Sequence, residues 1–211
     1  MKQTDKNRSV ETKIRAGTMK ELRQAKEWVI LDIGFSNQAC SCGLLITEEE
    51  KKSNKPLQFN KAKDKICTYI RNSKRSVNLL IEAPLSVAFD NNSNPKGRSI
   101  EKEKGKVRYW YYGPGCTVMV AAIYLIKAIA EMKPDVDILL FEGFVSFKKK
   151  GNPSDHLEDV RLLKEVVDNP DQFKNSIIES KGLAMDASDT LKSAFQVAGI
   201  DAGIPIVIKP D

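Results

Sequence analysis

Apolar residues fall along this chain in short solid runs and in stripes of helical spacing, and the two kinds alternate. Residues 28–33 (WVILDI) form a compact run rich in β-branched side chains, with Asp32 near its end and Gly34 just beyond, and predict a buried strand. Residues 40–47 (CSCGLLIT) predict a second strand, and the short connection between the two suits a hairpin. Residues 48–55 read as a charged turn, and 57–59 could add a short third strand. Residues 60–73 place Ala62, Ile66, Tyr69 and Ile70 at helical spacing. Residues 77–82 (VNLLIE) predict a further strand, closed by Pro84. Residues 115–132 are almost wholly apolar and predict a buried helix that Pro134 ends, followed by a central strand over 137–142 (DILLFE). A helix is expected over 155–168, where Asp155 and Glu158 have capping-box spacing, then a helix over 185–198 and a last strand over 204–208 (IPIVI). A hairpin followed by alternating helices and strands predicts an α/β fold. Its sheet is mixed, mostly parallel, opened by an antiparallel hairpin and covered by helices on both faces.

At 211 residues the chain suits one domain of ordinary size. Residues 1–27 are polar and lysine-rich and read as a basic N-terminal arm or peripheral helix, which leaves 28–211 as the domain. An insertion at about 83–114 runs through an Asn- and Pro-rich loop and a charged stretch, where Gly105 could centre a hairpin, to Tyr109, Trp110, Tyr111 and Tyr112. No run approaches the roughly 18 apolar residues of a membrane helix. The N-terminus also lacks the apolar stretch of a signal peptide, so a cytoplasmic protein without a membrane partner is expected. The net charge of +6 favours polyanionic partners, nucleic acid above all, although many soluble proteins are mildly basic. Cys40 and Cys42 lack zinc spacing and the chain holds a single His; in a strand the two would share a face as small core residues.

Four acids change this picture. Asp32 lies in the first central strand, Glu82 closes a later one, and Asp186 and Asp189 are three apart, on one face near the start of the expected last helix. Hard oxygen ligands grouped in this way suit Mg2+ or Mn2+, and two such ions about 3.5–4 Å apart support phosphodiester cleavage. Each acid also has a plainer reading. Asp186 and Asp189 would favour a helix N-terminus, Asp32 would suit a turn, and Glu82 could pair with an arginine. Glu142, ending its strand, either adds to the cluster or sits at the rim. His156, the one His, falls at a capped helix start, where exposure is expected, with a catalytic role as the lesser alternative.

The stretch WVILDIGFSNQACSCGLLI resembles the opening hairpin of ribonuclease H-like nucleases, in which a strand-borne Asp precedes a Gly turn and a second strand. Glu82 within LLIEAPLS resembles the second carboxylate of that superfamily, at the end of the fourth strand. MDASDTLKSAFQVA is similar to the Asp-Ala-x-Asp-Ala-Leu helix of RuvC-type junction resolvases, with Thr190 in place of an Ala. EAPLS, LLFEGF and this helix also resemble a family of predicted ribonuclease H-like nucleases of unknown function. The resemblance spans about residues 28–208, although the smallest resolvases lack the insertion. It implies a ribonuclease H-like three-layer α/β/α fold in which Asp32, Glu82, Asp186 and Asp189 hold metal and carry catalysis.

Within the insertion, Arg98, Lys102, Lys104, Lys106 and Arg108 precede the aromatic run. Arg98 and Arg108 are expected to hold phosphate and Trp110 to stack bases, as cations beside aromatics can. The same pattern fits a hairpin with a solvated charged face. The function expected is a two-metal-ion nuclease acting on DNA or RNA. Its alternative is a non-catalytic nucleic-acid or protein-binding module on the same scaffold. The apolar helix over 115–132 could also serve a homodimer.

Overall fold

The computed structural model describes residues 13–34, 40–49, 55–103, 106–107, 114–145 and 155–210. Its centre is the strand β2 (Trp28–Asp32), in which all five residues are buried. A strand buried on both faces must be covered by helices on both sides, which is why its sequence is a continuous apolar run rather than an alternation. β2 pairs in antiparallel fashion with β3 (Gly43–Ile46) and in parallel with β4 (Val77–Glu82). β4 in turn runs parallel to β9 (Ile138–Gly143). The far edge of β9 is shared end to end by two short parallel strands, β1 (Ile14–Ala16) beside its first half and β12 (Val207–Ile208) beside its second. β10 (Ile177–Ile178) completes a seven-stranded mixed sheet of order β10-β12-β9-β4-β2-β3. Beyond β3, the third strand expected over 57–59 is reduced to one antiparallel bridge between Leu57 and Cys42.

Alternate residues of each strand feed two separate cores, as the two-residue repeat of a strand requires. Val29, Leu31, Leu79, Ile81, Ile138 and Leu140 face one layer, built from α2 (Phe59–Asn72) and α3 (Pro114–Glu131). Trp28, Ile30, Leu80, Leu139 and Phe141 face the other, built from α1 (Met19–Gln24) and α4 (His156–Asp168). The architecture is therefore α/β with helices on both faces of a mixed sheet. Within the insertion, β5 (Ser86–Phe89) pairs with β6 (Pro95–Lys96) and with β11 (Thr190–Ser193) in a second, three-stranded sheet. β7 (Lys102–Glu103) and β8 (Lys106–Val107) form the hairpin expected around Gly105.

Three expectations are corrected. The segment read as an arm or peripheral helix does carry a short helix, α1, but part of it belongs to the body of the protein: Ile14 and Leu22 are buried, and Thr18 caps α1 in a reciprocal box with Glu21. The Arg15 guanidinium holds that Glu21 carboxyl down to about 2. Cys42 is buried but Cys40 is exposed, because β3 begins only at Gly43. Residues 185–198 are a turn, the strand β11 and a short 3-10 helix (Ala194–Ala198), with no α-helix. β11 forms instead because residues 190–193 complete a full antiparallel ladder with β5.

One contact decides how α4 sits. Gly43 lies opposite Asp32 in the β2–β3 ladder, and a Cβ there would stand 1.9 Å from the backbone carbonyl oxygen of His156. Only a residue without a side chain lets the first turn of α4 press so closely on the hairpin. Gly43→Ala is therefore expected to cost about 1–3 kcal/mol through overpacking. Urea unfolding of the purified variant reads this directly, and an unchanged midpoint would contradict the packing described.

Candidate metal centre

Asp32 and Glu82 end neighbouring parallel strands in direct register, so their side chains leave the sheet on the same face. That face is the one shared with Trp28, Ile30 and Leu80, beneath α4. Both carboxylates are nearly sealed from solvent, Asp32 at 2% exposure and Glu82 at 8%. The carboxyl edge of parallel strands is where open α/β sheets place their ligand sites.

α4 brings the remaining groups. Asp155 caps it, its side chain accepting from the Leu157 and Glu158 N–H groups, and this fixes where the first turn begins. His156 and Asp159, three apart, then share the helix face turned toward the sheet. His156 Nδ1 lies 2.8 Å from Asp32 Oδ2, and Asp159 is buried at 4% exposure. One ligand atom from each of Asp32, His156 and Asp159 falls within 4.8 Å of the other two. Ligands about 2.1 Å from a shared ion stand roughly 3–4 Å apart, so this group is close to the spacing a divalent ion requires. Glu82 flanks it on the next strand, its Oε1 accepting from the Val145 N–H at 3.2 Å. Gly34 closes the far side: a Cβ there would lie 2.6 Å from His156 Nε2.

The donor set answers whether these residues fit a metal. Asp32 and Asp159 offer carboxylate oxygens and His156 an imidazole nitrogen within reach of one another, and carboxylates held close together favour a cation between them. His156 supplies one hydrogen-bonding partner, and a divalent cation would neutralise the pair and use the imidazole as well. The residues present therefore fit such an ion.

The other expected ligands lie elsewhere. Asp186 and Asp189 both pair with Lys96 on β6, at 2.7 and 2.8 Å, and are not part of the group around Asp32. The second oxygen of Asp189 accepts from the Met185 and Asp186 N–H groups. The carboxylate thus closes a turn where a helix start was expected, the competition that makes Asp a poor helix-interior residue. Lys96 is the main cause of the Asp189 carboxyl lying below its usual range.

Glu142 is corrected by strand parity. It is in register with Ile81 and shares the face of Ile138 and Leu140, so it projects from the side of the sheet opposite Asp32 and Glu82. There it meets Arg98, which the sequence suggested as a phosphate contact. Arg98 is fully buried and forks onto both Glu142 oxygens at 2.6 and 2.8 Å while bonding Glu101 and Ser86, so it presents nothing to nucleic acid. Arg108 and Trp110 lie outside the described residues. Burial pushes the Glu142 carboxyl upward, and the Arg98 guanidinium and Leu85 N–H oppose it.

The sequence ranked His156 as a lesser candidate and did not single out Asp159. The signal was present: the chain's one His stands three residues before an Asp, just inside a capped helix that follows a central strand. The same spacing argument had been applied to Asp186 and Asp189.

Asp189→Asn and Asp186→Asn are expected to leave manganese affinity unchanged, whereas Asp159→Asn should weaken it at least tenfold. Isothermal calorimetry on the three variants checks this. A loss in Asp189→Asn equal to that in Asp159→Asn would return Asp186 and Asp189 to the site.

The chain has no significant match among protein-family models, curated proteins or solved structures.

Proposed function

We propose that this protein is a divalent-metal-dependent nuclease, cleaving phosphodiester bonds of DNA or RNA on a ribonuclease H-like scaffold. The observation that carries the proposal is the meeting of Asp32, His156 and Asp159 in one buried group, with Glu82 in register beside it. The strand order supports the scaffold. Setting aside the short β1 and counting the Leu57 bridge as a third strand, the β2–β3 hairpin comes first, Glu82 ends the fourth strand and β9 is the fifth. α4 is the helix that follows that fifth strand, and it bears a pair of ligating residues three apart. The resemblance expected that arrangement of Asp186 and Asp189; His156 and Asp159 take the role.

Asp32, Glu82, His156 and Asp159 are the proposed ligands. A bound Mg2+ or Mn2+ would polarise a phosphoryl oxygen and make water a competent nucleophile near neutral pH. An imidazole among carboxylates favours Mn2+ over Mg2+. Asp32 is in register with Glu82 and lies 2.8 Å from His156, so it would be the central member of the proposed ligand set. His156 Nδ1 lies 2.8 Å from Asp32 Oδ2, and an ion held by both would replace that hydrogen bond. The apolar wall behind the site, formed by Ile30, Leu80 and Leu163, excludes water and strengthens every charge interaction in front of it. The basic balance of the chain favours approach of a polyanion. Among the described residues, no helix is long and apolar enough to cross a membrane.

Metal bound only to the native state stabilises it, by about 2.7 kcal/mol at a hundredfold excess over Kd. For a chain of this size that is a rise in Tm of roughly 5–10 °C. Scanning calorimetry with manganese should show the rise in wild-type protein, and no shift at millimolar-scale metal would count against the centre.

Asp32→Asn should abolish both the manganese shift and metal-dependent cleavage. The variant should remain folded, because β2 is held by the burial of Val29, Ile30 and Leu31. The assay is wild type beside the variant on single-stranded, duplex and branched DNA and RNA. Equal cleavage by both would trace the activity to a contaminant. Manganese binding without cleavage of any substrate would favour the binding module over the enzyme.

A further inference from the structure

β4 and β9 end in a reciprocal pair of contacts that the ligand set does not explain. Glu82 accepts from the N–H of Val145, three residues beyond Glu142 on the other strand. Glu142 accepts from the N–H of Leu85, three residues beyond Glu82, at 2.9 Å. The two glutamates project from opposite faces of the sheet, and each ties down the chain as it leaves the other's strand. On the Glu142 side the tie is reinforced. Arg98 grips both Glu142 oxygens and the hydroxyl of Ser86, one residue past Leu85, and Glu101 holds Arg98 in turn. Arg98, Glu101, Glu142 and Ser86 are all fully buried.

A buried ion pair of this kind is weak evidence for stability, because desolvation offsets most of the attraction. Its geometric effect is more specific. The segment that follows Glu82 has one end fixed by the strand and the other clamped at Leu85 and Ser86. The Ala83 N–H bonds back to the Ile81 carbonyl at 3.0 Å, so the backbone carrying Glu82 has little freedom. A planar, two-pronged guanidinium on a carboxylate fixes orientation in a way a lysine cannot.

We propose that Arg98 and Glu142 are positioning residues for the metal centre. From the opposite face of the sheet, they hold Glu82 at the angle needed to ligate the ion. This rests on the metal-dependent reading above and adds to it a role for the insertion, which supplies Arg98 and Glu101. Groups that orient metal ligands without touching the ion commonly carry 10–100-fold of the affinity.

The test is manganese affinity by isothermal calorimetry on the full chain, with thermal unfolding of each metal-free variant alongside. Glu142→Gln keeps the shape and an acceptor for Leu85 but loses the charge that Arg98 grips. It should weaken manganese binding at least tenfold in protein that remains folded. Arg98→Lys, which keeps the charge and loses the fork, should do the same. Should Arg98→Lys fail to fold, Glu142→Gln alone decides the matter. The diagnostic step is to combine Glu142→Gln with Glu82→Gln. If Glu142 acts through Glu82, the double variant binds manganese no more weakly than Glu82→Gln alone. A lower Tm with unchanged affinity in Glu142→Gln, or full additivity with Glu82→Gln, would overturn the proposal and leave the metal centre standing. Absence of manganese binding by wild type would remove the centre itself and this role with it.

Discussion

The close seating of the first turn of α4 on the β2–β3 hairpin is the contact on which the site depends. Gly43 leaves room for the His156 backbone, Gly34 leaves room for its ring, and Asp155 sets the residue at which the helix begins. Moving that start by one residue would turn His156 and Asp159 about 100° around the helix, away from the sheet. With it in place, a histidine and an aspartate from a helix meet an aspartate from the central strand, all behind an apolar wall. The large side chains of β2, β4 and β9 press from beneath, with Trp28 and Phe141 packed edge to face 4.9 Å apart. The core thus works as the rigid base of the centre.

The sheet also separates two kinds of acid that look alike in sequence. Glu82 and Glu142 both end apolar strands, yet the register that places Glu82 opposite Gly143 offsets Glu142 by one residue and sends it through to the other face. On that face an arginine from the insertion meets it, and the charge is satisfied internally. On the α4 face, Asp32 and Glu82 end neighbouring strands beside Asp159 and His156, and in the proposed reading a divalent cation would be held among them. Beside the β5–β11 ladder, ion pairs join the insertion to the body, through Arg98 at the sheet and through Lys96 to Asp186 and Asp189. Arg98, Asp186 and Asp189 are thus engaged in ion pairs between the insertion and the body.

Much of the fold was legible in the sequence because its central strands are buried on both faces, and solid apolar runs at 28–33, 77–82 and 137–142 admit few other readings. The Asp155 cap was legible for a local reason: a side chain and the backbone three residues on are close whatever the tertiary context. The failures were non-local. Residues 185–198 have helical spacing, but their conformation is decided by Asp189 capturing two N–H groups and by the ladder that β11 makes with β5, more than a hundred positions earlier in the chain. The destination of Glu142 followed from strand parity, but the partner waiting for it did not. At the site, Asp32 and Glu82 were visible as strand-end acids, whereas His156 looked like an ordinary exposed residue at a helix start. Only the two glycines that admit α4 to the hairpin make it otherwise, and nothing in their local sequence announces which backbone they will meet.

The central claim is that a divalent ion is held between the first turn of α4 and the end of β2. Anomalous diffraction from crystals soaked in manganese tests it most directly. The account predicts a peak within about 2.0–2.4 Å of ligand atoms from Asp32, His156 and Asp159, with Glu82 in reach of the same ion or a neighbour. A peak on Asp186 and Asp189, with the Asp32 group empty at saturating manganese, would contradict it.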